Sequence, residues 1–386
     1  MKRSLAAIAA ATLSLSLLAG CCGGSSSSDS DVIKVGINYE LSGAVATYGD
    51  ASVKGIEMAF DEINAAGGIN GKQVETIKYD TKSEPAEATT LATKLMTQDK
   101  VVTVIGPATS GSFKATIPVA NQNKIPVVSG SATAEDVTVS NGKVQEYAFR
   151  TCFSDSFQGT AMASFATDNL GAKSAVIIKD TSSDYAKGLA ENFSSKFESE
   201  GGTIVGEEGY VAGDTDFQAI LTRIKSQSFD AIYLPGYYNE VGLIIKQARD
   251  LGITAPILGG DGYESPTLLQ LAGASALNNV YYTNHYSSLD TDNAKVGEFI
   301  ANFKAKYNED PSAFSALGYD TAYFVADAIG RASDLTGEAV KDAMASTTDF
   351  SGVTGTFSID ANHDPDKAAL VIGLTDGVPT SAVDAA

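Results

Sequence analysis

The chain has 386 residues, and its 27 Lys and Arg against 47 Asp and Glu give a formal net charge of −20. Such an acidic surface repels phosphate backbones, which argues against nucleic acid as a partner. The hydrophobic fraction of 44% is sufficient for large buried cores, whereas 3 cysteines and 2 histidines leave little material for a disulfide framework or a histidine cluster. At about 150 residues per domain, this length predicts two or three domains.

The N-terminal segment predicts export from the cytoplasm. Lys2 and Arg3 precede a mostly apolar run from Leu5 to Leu18 and then small residues, as in a secretory signal peptide. The run is too short and too lightly apolar for a membrane span, which needs about 20 such residues. Residues 18–21, Leu-Ala-Gly-Cys, resemble the bacterial lipoprotein box. We expect cleavage after residue 20 and a lipid on Cys21, an ordinary signal peptide with a chance cysteine being the alternative.

The segment that follows, residues 21–31, is rich in Gly, Ser and Asp and predicts a flexible tether with nothing to bury. A lipid at Cys21 would hold the mature chain at a membrane surface outside the cytoplasm without a membrane-crossing segment. Cys152 is left as a single thiol, which we expect to be a small buried apolar residue.

From Val32 onward, short apolar runs alternate with amphipathic helical windows. The first series predicts helices from Val53 to Ile63 and from Ala86 to Met96, and the pair Gly67-Gly68 ends the first of them. Strands are predicted at residues 32–37, 74–79, 101–105 and 125–128. This strand–helix alternation favours a parallel sheet flanked by helices.

A second series of similar size begins after Arg150. It predicts strands at residues 175–178, 203–205, 231–234 and 256–258, with helices between them and two more helices around residues 296–307 and 319–329. Two α/β series of similar size predict two lobes.

The carboxyl ends of the predicted strands share an unusual chemistry. Ligands of open α/β sheets bind beyond these ends. Here the ends carry small, hydroxylated and aromatic residues with one acid, at residues 38–43, 106–110, 129–133, 234–238 and 259–263. Folding alone does not require such residues at so many strand ends, so we expect a ligand site there.

These residue types suit a zwitterion. A buried zwitterion needs donors for its carboxylate and an anionic acceptor for its ammonium group. Ser110 and Thr133 each offer a hydroxyl and backbone N–H groups near a helix N-terminus, and Asp261 offers the countercharge. Tyr48 or Tyr237 could present a ring face to the cation. The alternative is that the two hydroxyls only cap helices and that the aspartate only forms a turn.

Sequence motifs of enzymes are incomplete. Gly71-Lys72 lacks the upstream glycine of a phosphate-binding loop, because residue 66 is alanine. Gly260-Asp261-Gly262 has Ser265 where a dinucleotide fingerprint has its third glycine, and no Gly-x-Ser-x-Gly elbow occurs. His285 and His363 lie in different segments, and we expect both to be structural or exposed. We therefore predict no enzyme activity, no cofactor and no metal site.

The segment from Leu41 to Gly49, followed by residues 61–71, resembles the leucine/isoleucine/valine-binding protein family. These proteins are the type I amino-acid-binding components of bacterial ABC importers. The resemblance continues in order and spacing to the end of the chain, through Tyr79-Asp80, Val104-Ile105-Gly106, Phe149-Arg150-Thr151, Asp155-x-x-Gln158-Gly159 and Gly318-Tyr319-Asp320-Thr321-Ala322.

The resemblance implies the two-lobe type I periplasmic-binding-protein fold, in the α/β class. Each lobe is expected to be a mostly parallel sheet flanked by helices, and three strands between the lobes form a hinge. We expect lobe one to span residues 32–154 plus 285–367, and lobe two to span residues 155–284 plus 368–386.

The resemblance also implies a set of ligand-binding residues. It assigns the ligand carboxylate to Ser110 and the segment Ser131 to Thr133, and the ammonium group to Asp261. The full expected set is Tyr48, Ser110, Ser131, Ala132, Thr133, Asp155, Tyr185, Tyr237, Asp261 and Phe314. The chain departs from the branched-chain binders at Asp261, Ser131 and Tyr263 and lacks the lobe-one disulfide, so the resemblance does not fix the side chain of the ligand.

The function implied by the resemblance is that of a monomeric, lipid-anchored solute-binding protein. It would capture a small amino acid, branched-chain or similar, by hinge closure and deliver it to an ABC permease without making or breaking a bond. Two other functions stay open, namely a different small ligand on the same fold (an amide, urea or an aromatic acid) and a sensor. A ligand without a cation would leave Asp261 unpaired.

Overall fold

The computed structural model describes residues 32–290 and 293–385. The signal segment, the tether and Cys21 lie outside the described residues. Within the described ranges, no helix is both long enough and apolar enough to cross a membrane.

The first half of the described chain contributes seven strands, which are β1 (Val32–Tyr39), β2 (Gln73–Asp80), β3 (Thr103–Ile105), β4 (Val127–Ser129), β5 (Val139–Ser140), β6 (Lys143–Val144) and β7 (Ala148–Arg150). Five of them form a fully parallel sheet in the order β2-β1-β3-β4-β7, and β5 pairs with β6 in a small hairpin. Strand β1, which lies between β2 and β3, is buried along most of its length, as expected for a parallel strand covered on both faces.

The second half contributes β8 (Ser174–Asp180), β9 (Thr203–Tyr210), β10 (Ala231–Tyr233), β11 (Ile257–Gly259), β12 (Val280–Asn284), β13 (Phe350–Ser351), β14 (Thr356–Phe357), β15 (Ala369–Thr375) and β16 (Val378–Ala385). Seven of them form a sheet in the order β16-β15-β12-β11-β10-β8-β9, and β13 and β14 form a hairpin. The strands from β8 to β12 are parallel, while β15 and β16 are added antiparallel.

Helices connect most of these strands. They are α1 (Ala46–Ala65), α2 (Pro85–Lys94), α3 (Ser110–Asn123), α4 (Asp155–Ser164), α5 (Asp184–Ser199), α6 (Gln218–Lys225), α7 (Tyr238–Asp250), α8 (Pro266–Ala272), α9 (Ala294–Tyr307), α10 (Ala313–Arg331) and α11 (Gly337–Ala345). Short π-helical turns follow α2 and α4 at Leu95–Asp99 and Phe165–Asn169, and 3-10 turns occur at Glu135–Val137, Asp261–Tyr263 and Ala274–Ala276.

Helices α1 and α10 approach each other closely through glycine. A Cβ atom on Gly55 would lie 2.0 Å from the carbonyl oxygen of Ser315, and one on Gly318 would lie 2.2 Å from that of Ser52. Both distances are far shorter than any van der Waals contact, so only glycine permits this packing. The contact brings the N-terminal ends of the two helices together.

The chain passes between the two sheets three times, after β7, after β12 and before β15. Arg150 in the first crossing forms an ion pair of 2.7 Å with Asp364, which precedes the third. Lys367 is buried and donates to the carbonyl oxygen of Thr151 at 3.0 Å. Burial lowers the pKa of Lys367 to about 8, against the opposing effect of the Asp320 carboxyl. These contacts join the first and third crossings, while the bounds of the two lobes stay a prediction.

Several elements differ from the sequence-based expectation. Strand β9 runs five residues beyond the predicted residues 203–205, through the segment Gly-Glu-Glu-Gly-Tyr at the edge of the sheet, which has no apolar run to predict it. Helix α10 begins six residues before the predicted Tyr319, where Ser312 and Ser315 form a reciprocal N-terminal cap. Strand β12 and the antiparallel pair β15–β16 have no counterpart in the predicted strands.

Candidate functional site

A small cavity lies where the carboxyl ends of strands from both sheets meet. The volume open to the centre of a water molecule is ≈ 10 Å³, about the room of one water. Residues from both halves of the described chain line it, namely Tyr48, Ala108, Thr109, Ser131, Tyr185, Tyr237, Asp261, Gly262 and Phe314. Six of these belong to the predicted ligand-binding set. The predicted residues Ser110, Ala132, Thr133 and Asp155 lie behind this wall.

Glu40 braces one wall of the cavity. Its buried carboxyl, at the end of β1, accepts hydrogen bonds from the N–H groups of Ala108 (2.9 Å) and Thr109 (3.1 Å) and from the Thr109 hydroxyl (2.8 Å). Burial raises the pKa of Glu40, and these three donors oppose the rise. The brace fixes the loop between β3 and α3 at the cavity.

Two serines on this side have different environments. The Ser131 hydroxyl, on the loop after β4, lies in the cavity wall and donates to the carbonyl oxygen of Ala108 at 3.0 Å. The Ser110 hydroxyl, at the start of α3, accepts from the N–H group of Ala134 at 3.1 Å and is only 1% exposed. Ser110 therefore ties the two loops together from behind, whereas Ser131 faces the cavity.

The rest of the β4 loop is held from within. The N–H groups of Ser131 and Ala132 lie 3.2 and 3.0 Å from the Ser129 hydroxyl oxygen. The carbonyl oxygen of Thr133 accepts from Arg150 at 2.8 Å and from the N–H group of Asp155 at 2.8 Å. The loop backbone is thus fixed next to the first crossing of the chain.

Asp261 lies on the opposite wall, at the start of the turn after β11. Its Oδ1 atom accepts from the Tyr185 hydroxyl (2.8 Å) and from Gln158 Nε2 (3.2 Å). Its Oδ2 atom lies 3.3 Å from Nε2 of His285. The residue Asp261 is only 4% exposed. The three side chains therefore hold a nearly buried acid in place.

Close packing requires the glycines on both sides of Asp261. A Cβ atom on Gly260 would lie 2.5 Å from the Tyr185 hydroxyl, and one on Gly262 would lie 2.7 Å from the carbonyl oxygen of Gly236. The Gly262 N–H group also donates to the Tyr185 hydroxyl at 2.9 Å. The turn is therefore built around the tyrosine that contacts the acid.

Neutral groups surround the Asp261 carboxyl. Burial lowers the pKa of His285 to about 4, so the ring is uncharged at neutral pH. Burial also raises the pKa of Tyr185 well above its usual value, so the hydroxyl keeps its proton. Asp155 lies behind Gln158 and accepts a hydrogen bond from Gln158 Nε2 at 3.0 Å. Burial raises the pKa of Asp155 well above its usual range. An ionised Asp261 has no cationic partner within 4.0 Å among the described residues other than a protonated His285.

Aromatic rings form the remaining walls. The rings of Tyr48 and Phe314 are stacked with centroids 4.2 Å apart, since α1 and α10 pack closely. Tyr185 and Tyr237 are stacked at 5.1 Å, and Tyr237 meets Tyr48 edge to face at 5.7 Å. The Tyr48 hydroxyl donates to the carbonyl oxygen of Gly262, which joins the two walls. The walls offer ring faces and apolar area to a small ligand.

Further contacts close the rim of the cavity. The Tyr238 hydroxyl, at the start of α7, donates to the carbonyl oxygen of Ala44 at 3.0 Å. Lys114 of α3 forms ion pairs with Asp136 (2.5 Å) and with Asp184 at the start of α5 (2.7 Å). The two sides are therefore held together around a cavity with room for about one water, so an amino acid can enter only if these contacts break and the cavity widens.

Three residues near the acid were not in the predicted set. Gln158 stands in the quoted motif Asp155-x-x-Gln158-Gly159, which was a usable signal. Thr283 donates to Gln158 Oε1 at 2.6 Å, and His285 faces Asp261. The sequence alone predicts that both histidines are structural or exposed. His363 is stacked on Phe149 at 4.0 Å and does not line the cavity, whereas His285 contacts Asp261.

No group of three or more His, Cys, Asp or Glu side chains in residues 32–290 and 293–385 is arranged to hold a metal ion. The arrangement instead provides one fixed acid, hydroxyl and backbone groups opposite it, and aromatic walls in a cleft between two α/β lobes. These are the features of a solute-binding protein that closes on its ligand.

The chain belongs to the periplasmic binding protein family, whose sequence profile matches residues 32–377. It is 30% identical over 335 residues to the leucine-, isoleucine-, valine-, threonine- and alanine-binding protein of Pseudomonas aeruginosa, covering 86% of this chain and 87% of that one. The predicted resemblance to the leucine/isoleucine/valine-binding proteins is confirmed.

Solved structures confirm the predicted fold. LivJ of Streptococcus pneumoniae, the substrate-binding protein of a branched-chain amino acid transporter in complex with isoleucine, is 45% identical with a TM-score of 0.87, over 92% of this chain and 99% of that one. A solute-binding protein of an ABC transporter from R. palustris, in complex with benzoate, is 27% identical with a TM-score of 0.81, over 92% and 96%.

Proposed function

We propose that this protein binds a small amino acid with a branched-chain or similar side chain outside the cytoplasm and delivers it to an ABC permease. The observation that carries the proposal is the nearly buried Asp261, held on both oxygens by Tyr185, Gln158 and His285 in a cleft with aromatic walls. The isoleucine bound by the pneumococcal relative and the ligands named for the Pseudomonas relative support the same ligand class.

In this proposal, Asp261 accepts the ligand ammonium group, and the rings of Tyr48 and Tyr237 adjoin the cation and the aliphatic side chain. The ligand carboxylate binds opposite, at Ser131 and the loop that Glu40 braces. The Ser131 hydroxyl now donates to Ala108, and it turns to the ligand by rotation about one bond. No step of this cycle makes or breaks a covalent bond, so we infer no enzyme activity.

Closure provides the coupling to transport. The lobes, which we take as residues 32–154 plus 285–367 and 155–284 plus 368–386, open about the three crossings and close on the ligand, a motion known for periplasmic binding proteins as a class. The ligand shifts this equilibrium only through contacts that differ between the open and closed states. Here those are the contacts on the second lobe, from Tyr185, Tyr237 and Asp261.

A screen of residues 21–386 by thermal unfolding against the twenty amino acids, urea, a short amide and benzoate tests the ligand class. A ligand at 100 times its Kd adds about 2.7 kcal/mol to the free energy of unfolding. Isoleucine, leucine or valine is expected to give the largest shift. Stabilisation by benzoate with none by any amino acid would contradict the proposal and favour the aromatic-acid alternative.

We further propose that the protein is a monomer held to the membrane by a lipid on Cys21. Cys21→Ser is expected to move the protein from the membrane fraction to the medium or periplasm, because a lipidated N-terminal cysteine is its proposed anchor. Intact mass and fractionation of both forms check this. A secreted chain that keeps an unmodified residue before Cys21 would contradict the anchor and leave the ligand proposal standing.

A further inference from the structure

His285 is placed where the hinge meets the ligand site. It is the first residue after β12, in the second crossing between the sheets, and it is 4% exposed. Its ring is stacked on that of Phe153, in the first crossing, with centroids 3.5 Å apart. On its edge, Nε2 lies 3.3 Å from Asp261 Oδ2. The ring therefore contacts two crossings and the acid at once.

The hydrogen bonds determine which ring nitrogen carries the proton. An ionised carboxylate only accepts, so a neutral His285 contacts Asp261 through a protonated Nε2. Nδ1 is buried and has no hydrogen-bond partner among the described residues, as suits the unprotonated nitrogen. The charged groups acting on the ring are Asp261 on its own side and Lys367 in the third crossing, and burial outweighs the acid in lowering the pKa of the ring. The ring is thus a neutral donor at neutral pH.

A neutral donor at this position has a specific consequence for a cationic ligand. A protonated ring beside Asp261 would pair with the acid and repel an incoming ammonium group. A neutral N–H group instead orients the carboxylate and leaves its charge for the ligand. Tyr185 and Gln158 hold only Oδ1, so nothing else in the described residues fixes Oδ2.

We propose that His285 is a positioning residue for ligand binding, whose Nε2–H group fixes Oδ2 of Asp261 so that the acid presents one defined face to the ligand ammonium group. This inference deepens the proposed function and rests on it. The simpler role, packing against Phe153 alone, would be served equally well by another flat ring.

Two substitutions separate the roles. His285→Phe keeps a ring for the stack and removes the donor, whereas His285→Gln keeps an N–H donor and removes the ring. Both variants are titrated calorimetrically with isoleucine at pH 7. The Kd of H285F is expected to rise by about tenfold or more, because a hydrogen bond to a charged group is lost. The Kd of H285Q is expected to rise by less than about threefold. His363→Phe is the matched control, since His363 is also stacked on a phenylalanine, at 4.0 Å, but its Nδ1 lies 3.0 Å from the carbonyl oxygen of Ala148 and its ring does not line the cavity. Its Kd is expected to equal that of the parent.

A double-mutant cycle with Asp261→Asn tests whether His285 acts through the acid. If it does, H285F costs little further affinity once residue 261 is asparagine, and the two losses do not add. Fully additive losses would overturn the proposal, as would H285F binding isoleucine as tightly as the parent.

The protonation of His285 can also be checked in the unmodified protein, so this test does not depend on the folding of a variant. Nitrogen NMR of ¹⁵N-histidine-labelled protein is expected to show His285 protonated at Nε2 and unprotonated at Nδ1, with the Nε2 resonance shifting when isoleucine is added. A proton on Nδ1, or no shift at saturation, would overturn the inference. If instead the parent binds no amino acid in the thermal screen, the proposed function itself fails.

Discussion

Asp261 is the residue on which the proposed ligand class depends. A carboxylate this buried is costly unless it is paired, and Tyr185, Gln158 and His285 supply only neutral hydrogen bonds. In the proposed function, the ligand ammonium group supplies the cation that pairs with it. The acid is thus oriented before the ligand arrives, which lowers the entropy lost on binding.

Asp261→Asn keeps the shape of this side chain and removes its charge. The loss of one member of a desolvated charged pair costs about 2–5 kcal/mol of binding free energy, much of it from leaving the ammonium group without its partner. Titration with isoleucine measures the loss, and thermal unfolding of the ligand-free variant checks that it folds. A folded D261N protein with the affinity of the parent would reduce Asp261 to a turn residue and remove the main physical support for amino-acid binding.

Ser110 and Ser131 provide a comparison on the opposite wall. Ser110→Ala leaves the buried N–H group of Ala134 without its acceptor, which we expect to cost about 1–3 kcal/mol of unfolding free energy in the ligand-free protein. Ser131→Ala, whose hydroxyl faces the cavity, is expected to lower isoleucine affinity with a smaller change in stability. Denaturant unfolding and titration of both variants measure the two effects. The opposite ranking would show that Ser110 binds the ligand directly.

At the scale of elements, most strands of both sheets are predictable from the sequence because parallel strands are continuous apolar runs. Residues 206–210 of β9 are not predictable in this way, since this edge segment with Glu207 and Glu208 has no apolar run. The strand-end loops are predictable too, because each directly follows an apolar run that marks a strand. The contact of His285 with Asp261 could not be found, because it depends on how a crossing packs against a loop that ends a neighbouring strand.

The packing of α1 on α10 explains part of the motif Gly318-Tyr319-Asp320. Gly318→Ala would force its Cβ against the Ser52 backbone, so we expect a loss of about 1–3 kcal/mol in unfolding free energy and, because Tyr48 and Phe314 would move apart, weaker ligand binding. Gly330→Ala in the same helix is the control, since its Cβ would have its nearest neighbour at 3.7 Å. Thermal unfolding of the two variants measures the difference. Equal stability of both would contradict the close-packing argument.

At the scale of the whole molecule, the rim contacts predict a closed form that the ligand favours. Small-angle scattering is expected to show a smaller radius of gyration with saturating isoleucine than without it, because the ion pair of Lys114 with Asp184 and the bond from Tyr238 to Ala44 form only when the lobes are together. Lys114→Met removes the ion pair and is expected to favour the open form slightly. The change in the closing free energy should be small, because exposed ion pairs contribute little. Identical scattering curves at saturation would contradict closure.

The third crossing has a consequence for how this chain is made. The seven-stranded sheet needs β15 and β16, residues 369–385, beside β12, and the five-stranded sheet needs α10 against α1 across more than half of the sequence. Neither sheet can be completed until nearly the whole chain has been synthesised, and contacts this distant in sequence form slowly. A chain that leaves the cytoplasm through a narrow channel must stay unfolded until it has passed. For the export that residues 1–20 predict, the late completion of both sheets would favour a chain that is still unfolded when it is translocated.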